Sequence, residues 1–155
     1  METNILHIKA AAAAFCASLG LALGWKGILV LVWVTLMALD YLSGTFAALK
    51  AGAWSSRTAR EGAWHKGGAI LVVLVAAITD ATLGLLCGEL PILNITWPGI
   101  LLPLLLAWYI LTELGSILEN AVKLGAQSPQ WLTQLLETTR DAVDTTASTH
   151  YDQTP

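Results

Sequence analysis

The sequence predicts an all-α integral membrane protein with four transmembrane helices (three if the first is peripheral) and a short C-terminal amphipathic helix. Three observations predict it. The 155 residues are 55% hydrophobic and only 12% charged, about half the charge of a soluble domain. The few charges cluster between long apolar runs. Between Ile28 and Leu49 the only charged residue is Asp40, and a group at that depth costs roughly 2.5–3.5 kcal/mol to insert unless something receives it.

The spans are expected at about 5–23, 28–49, 67–87 and 99–119, within a transmembrane domain covering 1–125. The first is alanine-rich, contains Ser18 and Gly20, and must bring His7 and Lys9 to the headgroups. Its charged start and apolar run also fit a secretory signal. A second membrane-length segment begins only four residues later, which favours a retained helix. Gly24-Trp25-Lys26-Gly27 reads as a turn. A polar connection from Lys50 to Lys66 follows the second span. The third span is interrupted by Asp80, and the fourth carries Pro103 one turn from its start, where a missing donor does least damage.

Lysine and arginine predict the orientation. The 50–66 connection holds Lys50, Arg57, Arg60 and Lys66, so the positive-inside rule puts it in the cytoplasm. Four crossings then place both termini there, with Lys9, Lys123 and Arg140. Seven of the eight basic residues share that side. Trp25 and Trp97 fall at the outer interface and Trp54 and Trp64 at the inner one, as amphipathic rings prefer.

Beyond the spans, Ser128-Pro129 reads as a helix start. Trp131, Leu132, Leu135 and Leu136 share one face of a cytoplasmic amphipathic helix over 126–144 that could lie on the membrane. The polar stretch 145–155 has no apolar period and is expected to be disordered.

The candidate functional residues are polar groups inside or bordering spans: Asp40, Tyr41, Ser43, Asp80, Glu113, Ser116, Glu119 and Asn120. Glu113, Ser116 and Asn120 recur along one helical face. No lysine or arginine falls within the second to fourth predicted spans, so the carboxyls are expected to lack a cation in the membrane. Three roles stay open: hydrogen-bonded glue between helices, the wet face of an assembled pore, or an ion or proton site. Gly20 with Gly24 and Gly84 with Gly88 form GxxxG pairs, and Gly44 with Ala48 a looser one, which predict close helix approach.

Other chemistries fare poorly. His7, His65 and His150 are scattered, and no HExxH, GxSxG or P-loop occurs. Neither an enzyme, a metal site nor a cofactor is expected. Cys16 and Cys87 read as small buried hydrophobes. A net charge of −3 gives no basic surface for nucleic acid.

Asp40-Tyr41-Leu42-Ser43-Gly44, with Ala47, Ala48 and Lys50, resembles the Asp-Tyr-x-Thr/Ser-Gly signature of the phage-lysis and toxin-secretion holins. Glu113-Leu114-Gly115-Ser116-Ile117-Leu118-Glu119-Asn120 is similar to that family's Glu-x-x-Ser-Ile-x-Glu-Asn segment, and Lys123-Leu124-Gly125 with Pro129 fits the stretch just beyond that segment. The likeness covers roughly residues 25 to 137. It implies a multi-pass protein of the bacterial inner membrane that associates with copies of itself. It implies a lesion through which an endolysin, or an exported toxin, leaves the cytoplasm without direct contact being required. The competing readings are a small ion channel or proton-coupled transporter using Asp40, Asp80 and Glu113, and a membrane scaffold recruiting a partner through Trp131 and its neighbours. Against a transporter, no inverted repeat and no pair of broken helices is visible.

Overall fold

The computed structural model describes residues 24–90 and 95–151 and, of the N-terminal stretch, residues 5–7, 9–11, 13, 14, 17 and 18, which are helical. Beyond that stretch the described residues form four helices: α1 (Trp25–Lys50), α2 (Ser56–Glu89), α3 (Leu101–Lys123) and α4 (Gln130–Tyr151). There is no strand among the described residues. Three of the helices, α1 to α3, are long and apolar enough to cross a membrane. A fourth crossing is not shown: nine of the nineteen residues of the expected first span at 5–23 lie outside the described residues.

Local chemistry sets the helix ends. α1 and α3 both close in Schellman motifs. Gly52 (φ 66°) and Gly125 (φ 102°) take the left-handed position, one that residues with a Cβ adopt only under strain. The amides of Ala53 and Ala126 return to the carbonyls of Ala48 and Ala121. α2 starts earlier than hydropathy suggests. Ser55 accepts the Arg57 amide, and Arg57 pairs with Glu61 one turn on, so the helix runs three turns ahead of its apolar stretch. The polar connection therefore shrinks to 51–55, and Lys66 lies well inside α2.

Packing follows a seven-residue period on each long helix. On α2 the inward row Ala59, Gly62, Lys66, Ala69, Val73, Ala76, Asp80, Leu83 and Cys87 runs in alternating steps of three and four, with Gly67, Ala77 and Thr79 half-buried beside it. Trp33 and Met37 of α1, Val73 of α2, and Leu102 and Leu106 of α3 form the core. Tyr109 adds its ring 5.5 Å from Trp33. α3 is the central helix, packing against α1, α2 and α4. Large apolar residues such as Val32, Phe46, Leu71, Ile78 and Leu85 stay exposed, which suits a lipid solvent rather than water.

The C-terminal region departs from expectation. α4 begins at Gln130, and Ser128 Oγ is buried without a hydrogen bond, so it caps nothing. The helix continues through Thr145 to Tyr151, where a disordered tail was expected; only 152–155 lie outside the described residues. Thr145 and Thr146 return their hydroxyls to the carbonyls of Asp141 and Ala142, a bond that occupies the side chain without ending the helix.

Candidate functional site

Asp40, Lys66 and Glu113 each stand ten residues from the end of their helix, from Lys50, Ser56 and Lys123 respectively. At 1.5 Å per residue all three reach the same level, about 15 Å into the bundle. There they meet. Lys66 Nζ lies 3.0 Å from Asp40 Oδ2 and 2.5 Å from Glu113 Oε2. Their side chains are only 19%, 16% and 10% exposed. Asn120, two turns beyond Glu113, donates its amide to Asp40 Oδ1 (3.1 Å) and to Ser43 Oγ (3.2 Å). Ser43 donates its own hydroxyl to the Asp40 carbonyl. Gly44 leaves room for Asn120, whose Nδ2 would sit 3.3 Å from a Cβ placed there.

This overturns the expectation that the intramembrane acids lack a cation. Apolar run length put Lys66 in the connection, whereas the Ser55 cap extends α2 and turns Lys66 onto the same seam as Val73. The cluster is a clasp between all three spans. With both acids ionised it carries one net negative charge, so it is only partly neutralised. A cavity of about 280 Å³ opens beside it, between α1 and the start of α2, with Trp54, Ser55, Thr58 and Gly62 on its wall.

Asp80 belongs elsewhere. Its carboxylate accepts the amides of Leu101 (3.2 Å) and Leu102 (2.9 Å) and the indole N–H of Trp97 (2.9 Å). It therefore caps α3 from a neighbouring helix, where the helix dipole favours negative charge. Sequence patterns did not reveal its companions: Lys26 Nζ bonds the Gly99 carbonyl at 2.8 Å, stitching α1 to the same corner. A two-heptad interval separates Lys66 from Asp80 and was the signal that both face inward.

The remaining candidates are scattered. Tyr41 is 41% exposed and borders the cavity beside the clasp. Ser116 reaches that cavity and a second groove, where exposed Glu119 lies between α3 and α4. Thr35 and Thr112 bond carbonyls of their own helices rather than the acids. Among the described residues a Cβ on Gly84 or Gly88 would meet nothing within 4 Å, so these glycines pack against none of the described helices. Gly24 lies at the start of α1 with open space around it, and Gly20 is outside the described residues. Lys50 Nζ bonds the Leu124 carbonyl at 2.6 Å, while Arg57 and Arg60 stay exposed. Cys87 is half-buried and free; Cys16 is outside the described residues. No group of histidine, cysteine and acid side chains is placed to hold a metal ion among the described residues.

Three membrane-length helices locked by an internal lysine and two acids define a small multi-pass membrane protein. A match to the bacteriophage holin family covers residues 17–141, and the chain belongs to that family, one of non-enzymatic membrane proteins. It is also 31% identical over 122 residues to an uncharacterized protein of Listeria monocytogenes and, to the same extent, to one of Listeria innocua, with 79% of each chain covered. No solved structure matches it.

Proposed function

We propose that the protein is a holin that gathers with copies of itself in the bacterial cytoplasmic membrane and opens a lesion. An endolysin or another cytosolic protein then leaves through it. The basic end, with Lys50, Arg57, Arg60 and Lys123, faces the cytoplasm, and a membrane-crossing first segment would put both termini there. The clasp is the observation that carries this reading. With both acids ionised, Lys66 within one bundle holds two carboxyls and leaves one charge unbalanced beside a cavity. Such a group is stable closed, yet gains hydration when several bundles rearrange around water. The outward faces of Gly84 and Gly88 support close approach of neighbouring copies.

Timed release of a folded cytosolic enzyme tests it. Lys66→Met strips both acids of their cation, weakens the closed bundle, and advances release. Asp40→Asn leaves a matched Lys66–Glu113 pair, strengthens the closed bundle, and delays release. Unchanged timing in both, with normal insertion, removes the clasp from the mechanism. The same unbalanced charge favours a second reading, a cation or proton pathway. Conductance of ions without escape of the enzyme would select that one.

A further inference from the structure

α4 runs back along α3, antiparallel to it. Leu132, Leu136, Val143 and Ala147 are its half-buried positions, and Arg140 lies over the Trp108 ring at 4.8 Å. Val143 and Ala147 reach the level of Leu101, Leu104 and Trp108, the far end of α3 from where α4 begins. The helix has 22 residues, about 33 Å of length, which matches a hydrocarbon core of about 30 Å. Docked this way, α4 lies at the depth of the spans. Its opposite row is polar: Gln134, Thr138, Asp141 and Thr145 are all exposed. Glu137 and Asp144 flank it.

Lipid cannot stand against that row. Each charge placed there under hydrocarbon disfavours docking by roughly two orders of magnitude. The seat is also loose, with cavities of about 600 Å³ and 340 Å³ on either side of the contact. Docking thus needs water on the far face of α4, and α4 detaches readily without it. Exposed Trp131 and Leu135 at its start suit an interfacial resting place at the basic end.

We propose that α4 forms the water-facing wall of the lesion: it rests on the membrane surface while copies are scattered, and docks along α3 where they enclose water. This rests on the holin reading above. It assigns the wet surface of the opening to α4, with the clasp regulating when the opening forms.

The test uses the full chain with Cys16→Ala and Cys87→Ala, carrying Leu104→Cys and Val143→Cys on facing walls of the larger cavity. A short bis-maleimide is applied to whole cells across the time course, and escape of a folded reporter is followed in parallel. Cross-linking is expected to rise roughly tenfold or more as the reporter escapes. A Leu104→Cys, Thr138→Cys pair, with Thr138 on the far face, shows no such rise. Adding Thr138→Leu and Asp141→Leu to the first pair takes one charge off the far face, lessens the need for water there, and raises cross-linking before escape relative to the pair alone. Equal cross-linking before and after escape, or escape without cross-linking, overturns the assignment of α4 alone. Failure of the reporter to escape from the parent chain overturns the lesion reading itself.

Discussion

The two ends of the bundle bury acids in opposite ways. Asp80 is received by fixed donors: two backbone amides and an indole, all set by the start of α3. Asp40 and Glu113 share one flexible lysine, and Asp40 also accepts an asparagine amide. The first arrangement satisfies one charge with groups that cannot move away. The second leaves a charge over and depends on a long side chain that can. Depth alone therefore does not make an acid functional; what it is bonded to decides whether it is a rivet or a latch.

The largest effect belongs to the latch. Lys66→Met leaves two acids buried without a cation, and removing one partner of a buried pair costs about 3–5 kcal/mol. Unfolding in mixed micelles should register that loss. Adding Asp40→Asn and Glu113→Gln should recover much of it, because no buried charge is left unpaired. If the triple variant is as weak as the single one, the loss comes from packing of the lysine stem and the latch description fails. Next comes the rivet. Asp80→Ala strands three donors and should cost about 2–3 kcal/mol, with Asp80→Asn recovering part. Release timing should separate the two sites: Lys66→Met advances it, whereas Asp80→Asn should leave it near that of the parent.

Most of this architecture was legible in the sequence, and the failures have physical causes. The expected spans at 28–49, 67–87 and 99–119 fall on α1, α2 and α3, but α2 begins eleven residues earlier and α3 ends four residues later than expected, because apolar length finds the part of a helix that suits a bilayer core and not its polar ends. Asp40, Ser43, Glu113 and Asn120 stand out as polar groups in oil, and they do meet. Their cation was missed because hydropathy finds the buried part of a helix and not its end. The cap at Ser55 and the Arg57–Glu61 pair extend α2 back past Lys66, and lysine looks like a loop residue to any apolar count. The heptad linking Lys66, Val73 and Asp80 held the missing information. The capping of α3 by Asp80 was out of reach, since it joins residues whose contact only the packed bundle creates. α4 runs past its expected end although threonines are poor helix formers by propensity; their hydroxyls bond back to their own helix and do not end it.

A smaller effect tests how rigid the rivet corner is. Gly99 holds φ at 66°, and a Cβ there would lie 2.7 Å from Lys26 Nζ. Gly99→Ala is strained by its backbone and must also push the lysine tip aside, for about 1–2 kcal/mol. The lysine is flexible, so most of that cost should be backbone strain. Lys26→Ala combined with Gly99→Ala should then recover only a minor part of the stability. Full recovery would mean that the clash dominates and the turn itself is soft.

The smallest effect uses the same substitution as the largest. Lys50 also bonds across the bundle, to the Leu124 carbonyl at 2.6 Å, and its charge sits near the ends of α1 and α3, where their dipoles favour a cation. But Lys50 is exposed, water replaces whatever it loses, and the two Schellman motifs hold neighbouring carbonyls without it. Lys50→Met should therefore cost about 0.5–1 kcal/mol, several times less than Lys66→Met, and that cost should shrink further at high salt. Added salt should scarcely change the Lys66→Met loss, because ions do not reach a pair shielded by three helices. If both methionine variants lose equal stability, or both losses fade together with salt, then Lys66 is bathed in water in the closed bundle, and a cluster already hydrated has nothing to gain by opening.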